Sequence, residues 1–210
     1  MIRILIADDH VMFQEGIKQI LLKEPDMQVM AQARDGRGAL TITREMELDV
    51  VLLDISMPGL GGLDILRDLV LECPRLRVLV LSMHPEEQYA VRVLKAGAAG
   101  YLTKESAAEE LVAAIRVVAR GGTYASPAIT HMLAATRRSE WDTLPHHLLS
   151  DREFQVMRML AEGKRICDIA GALCLSEKTI TTYRTRVLDK MNLRTNVEIT
   201  RYALLHRLIE

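Results

Sequence analysis

Cysteine is scarce in this chain and is not arranged for a disulfide framework or a zinc site. The 210 residues include three cysteines, Cys73, Cys167 and Cys174, an odd number without a CxxC pair. Disulfide scaffolds need paired cysteines, and structural zinc sites need closely spaced Cys and His ligands. We therefore expect reduced thiols, which excludes a small secreted scaffold held by disulfides.

Long apolar segments are also missing. No uninterrupted apolar stretch approaches the ~20 residues that cross a bilayer. The apolar start at residues 1–7 is too short for a secretory signal and is ended by Asp8-Asp9. We therefore expect no membrane association and a cytoplasmic location.

A large net charge is lacking too, but the charges are unevenly distributed. The formal net charge is −1, with 14 Lys and Arg against 18 Asp and Glu in residues 1–124, a net of −4. Residues 150–210 carry 11 against 8, a net of +3. An acidic first part and a basic last part predict different partners for each.

The first part alternates short apolar runs with helical patterns. The predicted strands are 2–7, 29–33, 50–53, 78–81 and 100–103, and the predicted helices are 11–24, 36–46, 61–73, 86–96 and 107–120. Such alternation predicts a parallel sheet covered by helices on both faces. We expect a flavodoxin-like α/β domain at residues 1–122, with a five-stranded sheet in the order 2-1-3-4-5.

The remainder of the chain has a different pattern. Residues 123–147 predict a linker, with a short helix opening at Ser126-Pro127 and a polar, aperiodic stretch after it. Residues 148–210 predict an all-α domain of four helices, because only helical periodicity follows. Ser150 to Glu153 and Thr195 to Glu198 have the spacing of capping boxes.

The central feature of the first part is the apolar run 50–53, which leads into Asp54 and is stopped by Pro58-Gly59. An unbroken apolar run is typical of a strand buried on both faces of a parallel sheet. Asp54 then lies at the carboxyl end of the strand, where open α/β sheets bind their ligands. We expect Asp54 to receive a phosphoryl group.

Polar residues follow the neighbouring predicted strands as well. Asp8 and Asp9 end strand one, Ser82 ends strand four and Lys104 ends strand five. Clustered carboxylates raise each other's pKa, and a hard divalent cation such as Mg²⁺ relieves that repulsion. Lys104 and Ser82 offer donors to phosphoryl oxygens.

Taken singly, these residues also fit plainer roles, as a helix cap, a turn residue and a solvated charge. Together they predict an acyl-phosphate site that uses a nucleophilic carboxylate and a metal ion. A rival interpretation is a phosphatase of the haloacid-dehalogenase type. That chemistry needs a second aspartate two residues after the nucleophile, and Ser56 occupies that position.

With these residues, the stretch from Met1 to about Gly122 resembles the receiver domain of bacterial response regulators. The matching features are Asp8-Asp9, the stretch from Asp54 to Gly59, Ser82, the run from Gly97 to Tyr101, and Lys104. The resemblance implies that Asp54 is the phosphoacceptor and that Asp8, Asp9, Asp54 and the Ser56 backbone carbonyl hold Mg²⁺. It also implies that Ser82 and Tyr101 form a switch pair.

Two positions depart from the family pattern. Met83 follows Ser82 where a small residue is usual, which predicts narrower access to the acyl phosphate. Glu105 follows Lys104 where many receivers have proline, which removes a cis-proline.

The third helix of the basic part has a buried stripe and an unusual exposed face. At about 100° per residue, Ile180, Tyr183, Val187, Leu188 and Met191 share one side. Threonine is a poor helix former, but it can contact base edges and the thymine methyl group. The predicted DNA contacts of this helix are Lys178, Thr181, Thr182, Thr185, Arg186 and Lys190.

Residues 148–207 also resemble the LuxR-type DNA-binding domain, through the run from Leu149 to Glu153 and the run from Leu175 to Ile180. Both halves together are similar to a response regulator of the NarL/FixJ subfamily. The resemblance implies a regulator that is not an enzyme. Its implied partners are a sensor histidine kinase, double-stranded DNA, a second copy of the chain and, as a further candidate, RNA polymerase.

The DNA sequence, the output of the helical domain and the dimer contacts stay open at this stage. The family often has lysine where this chain has Thr181, so the operator sequence cannot be transferred. A phosphorylation-switched module whose helical domain binds protein instead of DNA fits the same fold. Val197, Leu204 and Leu208 of the last helix are candidate dimer contacts, but all three could equally be core residues, and the core is the expected place of Val197.

Overall fold

The computed structural model describes residues 1–57, 62–83, 86–127, 129–130 and 144–209. The chain divides into two compact units, Met1–Leu133 and Ala134–Glu210. The described helices include none that is long and apolar enough to cross a membrane.

The first unit is built on a parallel sheet. The strands are β1 (Ile2–Ala7), β2 (Met27–Ala33), β3 (Val50–Asp54), β4 (Arg77–Ser82) and β5 (Gly100–Thr103). The helices are α1 (Val11–Leu21), α2 (Gly36–Glu45), α3 (Gly62–Glu72), α4 (Glu86–Lys95) and α5 (Ala108–Ala119). Among the described residues the sheet has five strands in the order β2-β1-β3-β4-β5, all pairs parallel, which confirms the predicted fold class.

The position of β3 explains its apolar sequence. It lies between β1 and β4, and all five of its residues are buried. Helices α1 and α5 contribute buried side chains such as Ile17 and Ile115 to the same core. Each such aliphatic side chain contributes roughly 1.5–3 kcal/mol when it is fully buried. This core fixes the strand end at which Asp54 sits.

The first unit continues past the predicted boundary at residue 122. The Tyr124 backbone N–H donates to the carbonyl of Ala99 at 2.8 Å, and Tyr124 forms a parallel bridge with Gly100. A Cβ on Gly100 would lie 2.8 Å from the Tyr124 carbonyl oxygen, so this close approach requires glycine. The Ser126 hydroxyl donates to Glu86, and Ile129 is completely buried.

The second unit is helical, as predicted. A 3₁₀ helix at Pro145–Leu148 precedes α6 (Asp151–Ala161), α7 (Ile166–Leu173), α8 (Glu177–Met191) and α9 (Asn196–Leu205). This 3₁₀ helix lies within the predicted linker, where His146 is buried and its Nδ1 lies 2.7 Å from the Tyr202 hydroxyl. The turn at Pro58-Gly59, most of the helix expected after Ser126, and the polar stretch up to residue 143 lie outside the described residues.

The helix ends differ in part from the expectations. The capping box of Ser150 and Glu153 is formed in full. At α9 the Thr195 side chain accepts from the Glu198 N–H, but the Glu198 carboxylate accepts from the backbone of Arg194 instead of Thr195.

The core assignment in the last helix is corrected at Val197, and the choice left open for Leu208 is decided in favour of the core. Val197 is 78% exposed, so it is not a core residue. Leu208 is 5% exposed, so it packs in the interior and is not available for a dimer contact. Leu208 reaches the interior because α9 ends at Leu205 and the chain after it turns back through Arg207, which has a positive φ of 52°.

Candidate functional sites

The acidic cluster forms at the carboxyl edge of the sheet. Ala7 of β1 is opposite Leu53 of β3, so Asp8 and Asp54 follow at the same level of neighbouring strands. Asp54 is completely buried and Asp8 is 2% exposed. The sheet therefore brings together the carboxylates that the sequence placed on separate strand ends.

Lys104 joins two of these carboxylates. Its Nζ lies 2.7 Å from Asp54 Oδ2 and 2.6 Å from Asp8 Oδ2, and its side chain is 4% exposed. The Lys104 backbone N–H donates to the carbonyl of Ser82 at 2.8 Å, which fixes the chain just after β5. The other Asp54 oxygen, Oδ1, accepts from the Ser56 N–H at 2.7 Å. Both Asp54 oxygens are thus bonded within the site.

Burial and charge act in opposite directions on this pair. Burial raises the pKa of the Asp54 carboxyl group, and the hydrogen bond from Lys104 acts against that rise. Burial acts to lower the pKa of Lys104, but the hydrogen bonds to Asp54 and Asp8 outweigh it and the pKa is raised. We therefore expect Lys104 to remain a cation in the metal-free protein.

The donor set fits a small, hard cation. Oxygen atoms of Asp8, Asp9 and Asp54 and a ring nitrogen of His10 lie within 4.8 Å of one another. Asp9 Oδ1 is buried and accepts no hydrogen bond from the described residues, although His10 Nδ1 lies 3.1 Å away. Magnesium prefers oxygen ligands and is bound by one or two carboxylates. The His10 side chain is 63% exposed and begins α1, so it flanks the carboxylates.

The remaining predicted residues lie at the same edge. Ser82 and Tyr101 are both completely buried, in β4 and β5. Ser82 is opposite Thr103, and Tyr101 is opposite Val80. The Tyr101 ring thus lies in the interior of the protein. The Ser56 side chain is exposed, and its backbone lies beside Asp54.

The two departures from the receiver pattern are both exposed. Met83 is 61% exposed, directly after buried Ser82. Glu105 is exposed, and the described residues contain no cis peptide bond. Narrower access to the phosphoryl site through Met83 stays a prediction.

Two supporting residues were not found by the sequence reasoning. The Lys104 Nζ lies 4.7 Å from the centroid of the Phe13 ring. Gln14 is buried, and its Nε2 donates to the carbonyls of Asp8 at 2.9 Å and Ala33 at 2.6 Å. A signal was present, because Gln14 shares the apolar stripe of α1 with Ile17 and is polar at a position that faces the core.

The second candidate site is the helix-turn-helix of the second unit. Cys174 directly follows α7 and adopts a left-handed conformation with φ 53°. Ser176 caps the start of α8, where its side chain accepts a hydrogen bond from the Thr179 N–H at 3.1 Å. Ile180, Val187 and Met191 are buried as predicted, and Tyr183 and Leu188 are partly buried. The opposite face of α8 is therefore presented to solvent.

Five of the six predicted DNA contacts share that face. Lys178, Thr181, Thr182, Thr185 and Arg186 are exposed and line one shallow depression. The hydroxyls of Thr181, Thr182 and Thr185 each donate to the carbonyl four residues earlier, at 2.8–3.1 Å. These threonines therefore offer methyl groups and hydroxyl acceptors to a ligand, because their protons are used within the helix.

Lys190 is placed differently. Its Nζ donates to the Glu153 carboxylate at 2.6 Å, and the Glu153 side chain is 4% exposed. No local sequence pattern predicts this pair, because the position of Glu153 predicts only its part in the capping box.

Each unit of the chain matches a known protein family. Residues 4–116 match the response regulator receiver domain, and residues 147–203 match the bacterial regulatory proteins of the luxR family. The first match includes Asp8, Asp54 and Lys104, and the second includes all of α8.

Individual relatives match nearly the whole chain. The response regulator GacA of Pseudomonas aeruginosa is 38% identical over 211 residues, which cover 100% of this chain and 99% of GacA. The transcriptional regulatory protein DegU of Brevibacillus brevis is 40% identical and covers 91% of this chain and 88% of its own. A structure of the Salmonella typhimurium response regulator RcsB, 24% identical, covers 96% of both chains with a TM-score of 0.72, which shows a shared fold. The chain belongs to the two-component response regulators of the NarL/FixJ subfamily, in which a receiver domain precedes a LuxR-type helix-turn-helix domain.

Proposed function

We propose that this chain is a phosphorylation-controlled transcriptional regulator that accepts a phosphoryl group on Asp54 from a sensor histidine kinase. The observation that carries the proposal is the environment of Asp54. Its carboxylate is completely buried, lies 2.7 Å from Lys104 Nζ, and belongs to a cluster with Asp8 and Asp9. A plain structural salt bridge would not need two further carboxylates.

The transfer uses groups that the site already holds. An Asp54 oxygen forms a bond to phosphorus while the bond from phosphorus to the kinase histidine nitrogen breaks. Asp54 Oδ2 is held by Lys104, so this ammonium group moves toward the phosphoryl oxygens while it keeps its contact with Asp8. The Ser56 N–H holds the other oxygen in place.

A magnesium ion bound by Asp8, Asp9, Asp54 and the Ser56 carbonyl would neutralise the carboxylates and the phosphoryl charge. Ser82 supplies a hydroxyl to the phosphoryl group, and Tyr101 occupies the interior behind it. We infer that these two side chains change the receiver surface near residues 86–104. The first residues of the linker contact that surface through Tyr124 and Ser126.

The output is proposed to be DNA binding by α8. The exposed face formed by Lys178, Thr181, Thr182, Thr185 and Arg186 combines base-reading and phosphate-binding groups. In a homodimer, two such helices would enter successive major grooves about 34 Å apart. The relative DegU is a transcriptional regulatory protein, which supports this output.

The remaining assignments are proposals of the same kind. We propose a receiver at residues 1–122, a linker at 123–147 whose first residues pack on the receiver, and a DNA-binding domain at 148–210. The family consists of regulators, and we propose that this chain is no enzyme, acts in the cytoplasm, and has RNA polymerase as a further candidate partner.

The phosphoacceptor is tested by labelling. The full-length protein is incubated with acetyl phosphate and Mg²⁺, and the mass increase of one phosphoryl group is measured for the wild type, Asp54→Ala and Asp68→Ala. Asp68 is an exposed carboxylate on α3 and serves as the matched control. We expect label in the wild type and the Asp68 variant only, and undiminished label in Asp54→Ala would overturn the assignment.

DNA binding is tested separately from phosphorylation. The full-length protein, with and without acetyl phosphate, is titrated with duplex DNA over a range of salt concentrations. Phosphate contacts release counterions, so affinity should fall as the salt concentration rises. Absence of binding at low salt in both states would favour the competing function, a phosphorylation-switched module that binds protein.

A further inference from the structure

The pair formed by Lys190 and Glu153 joins two helices of the second unit. Lys190 lies in the last turn of α8, and its Nζ is 2.6 Å from Glu153 Oε2. The same oxygen accepts the Ser150 backbone N–H at 2.7 Å, so it belongs to the capping box that starts α6. One carboxylate oxygen thus accepts hydrogen bonds both from the backbone at the start of α6 and from a side chain at the end of α8.

The burial of the two partners is unequal. The Glu153 side chain is 4% exposed, and that of Lys190 is 42% exposed. The Glu153 carboxylate therefore depends on donors inside the protein. Among the described residues, these are the Ser150 backbone N–H and the Lys190 ammonium group, and the ammonium group carries the compensating charge. Removal of one partner from a buried ion pair leaves an uncompensated charge, which is strongly unfavourable. Lys190 cannot leave Glu153 to reach a DNA phosphate without that penalty.

Other contacts hold the same helix. Ser176 caps its beginning, and Val187 and Met191 are buried. The Arg184 Nε donates to Asn196 Oδ1 at 2.7 Å, which ties the middle of α8 to α9. The contact between Lys190 and Glu153 fixes the remaining end of α8 against α6, and so it fixes the direction of the exposed face that carries Thr182 and Arg186.

We propose that Lys190 is a positioning residue that holds α8 against the capping turn of α6 through Glu153, and that it makes no contact with DNA phosphates. This inference rests on the proposed function, since it assumes that α8 reads DNA. It differs from the role that the sequence predicted, in which Lys190 contacts the DNA backbone.

The test compares five variants of the full-length protein with the wild type: Lys190→Met, Lys190→Arg, Glu153→Gln, the double variant of Lys190→Met with Glu153→Gln, and Lys178→Met. The probe is a fluorescent duplex that the wild-type protein selects from a random-sequence library. Affinity is measured by anisotropy at several salt concentrations, at a temperature where circular dichroism shows every variant to be folded. Lys178 lies on the exposed face of α8 and serves as the matched control.

We expect Lys190→Met and Glu153→Gln to lower the affinity equally, on the order of tenfold, as for coupled residues in contact. The double variant should bind as either single variant does, and Lys190→Arg should restore most of the affinity. The slope of log affinity against log salt should stay unchanged for Lys190→Met and should fall by about 0.9 for Lys178→Met.

Two results would overturn the proposal while the proposed function stands. If Lys190→Met reduces the salt slope by about 0.9 and Glu153→Gln leaves the affinity unchanged or raises it, Lys190 is a phosphate contact. If both variants melt earlier but bind the duplex as the wild type does, the pair serves stability alone. A wild-type protein that selects no duplex overturns the proposed function, and the inference with it, before any variant is compared.

Discussion

Asp9 is the carboxylate whose charge is least compensated within the acidic cluster. Asp8 and Asp54 share the ammonium group of Lys104, whereas the buried Asp9 Oδ1 has, among the described residues, only the exposed His10 ring at 3.1 Å. An ionised oxygen without a directed hydrogen bond destabilises the folded state. Such a loss of stability in the metal-free protein is expected if Asp9 serves to bind a cation.

Asp9→Asn should therefore stabilise the metal-free protein and weaken its response to magnesium. We expect the free energy of unfolding in EDTA to rise by about 1 kcal/mol, because one of three clustered negative charges is removed. Millimolar Mg²⁺ should raise the melting temperature of the wild type through binding to the folded state, and should do so much less for the variant.

Glu105→Gln is the control for Asp9→Asn, since Glu105 is an exposed carboxylate next to Lys104. The Glu105 variant should have the same melting temperature as the wild type, both in EDTA and in Mg²⁺. Equal stabilisation of the wild type and Asp9→Asn by Mg²⁺ would remove Asp9 from the metal site.

The sequence alone was sufficient to predict that the polar residues at the strand ends form one site. Asp8, Asp54 and Lys104 follow apolar runs, and parallel strands bring their carboxyl ends to one edge. The contacts of Phe13 and Lys190 could not be predicted in this way, because their partners are distant in sequence and the contacts depend on how the helices pack. The contact of Lys190 with Glu153 spans 37 residues, and no local pattern marks it.

Helix α8 combines poor helix formers with an exposed face. The Thr182 hydroxyl donates to the carbonyl of Lys178 at 3.0 Å, which occupies its proton but does not improve helix propensity. An exposed residue that lowers the stability of its own helix is expected where function requires it.

Thr182→Ala should therefore raise stability and lower DNA affinity together. We expect the free energy of unfolding to increase by about 0.5 kcal/mol, because alanine is the better helix former. Affinity for a selected duplex should fall by about fivefold, equivalent to roughly 1 kcal/mol. Chemical denaturation and anisotropy measure the two effects on the same protein.

The control for Thr182 is Thr41→Ala in α2. Thr41 is also exposed and donates to the carbonyl four residues earlier, at 3.0 Å, but it lies in the other unit. It should raise stability without a change in DNA affinity. A variant of Thr182 that binds as tightly as the wild type would show that the threonine face does not read bases.

A second connection between elements predicts a pH dependence. Arg116 of α5 holds Asp26 through two hydrogen bonds, at 2.8 and 2.9 Å, and contacts Glu24. The hydrogen bond from Arg116 lowers the pKa of Asp26 from 3.8 to about 2. Because the folded state holds the proton less tightly than the unfolded state, this pair contributes stability above pH 3.8 that is lost as the pH falls toward 2.

Arg116→Gln should remove that part of the pH dependence. Its melting temperature should be lower than that of the wild type near neutral pH, and the difference should shrink as the pH falls through this window. Arg37→Gln, a change at an exposed arginine of α2, should show no such convergence. A difference that stays constant with pH would rule out Asp26 as the titrating group.

On the scale of the whole molecule, the first unit includes residues that the sequence assigned to a linker. Ile129 is completely buried, and Tyr124 extends the edge of the sheet beyond β5. The polarity of the following residues suggested a boundary at residue 122, because periodicity does not show that a short segment packs on an existing sheet edge. The order of the strands was predictable, since alternating strands and helices allow few right-handed arrangements.

A fragment of residues 1–133 should therefore be more stable than one of residues 1–122. Burial of Ile129 alone contributes roughly 2 kcal/mol, and the backbone bond of Tyr124 adds to it. Urea denaturation of the two fragments measures the difference. In the longer fragment, Ile129→Ala should remove most of the gain, and equal midpoints for the two fragments would contradict the packing of this segment.

In the proposed function, a buried aspartate in one unit controls DNA binding by the other. The most direct test is genome-wide DNA occupancy in cells that express the wild-type chain or Asp54→Ala at equal levels, with Asp68→Ala as the control. We predict discrete binding sites for the wild type and the control, and strongly reduced occupancy of the same sites by Asp54→Ala. Equal occupancy by all three proteins, or the absence of discrete sites for the wild type, would contradict it.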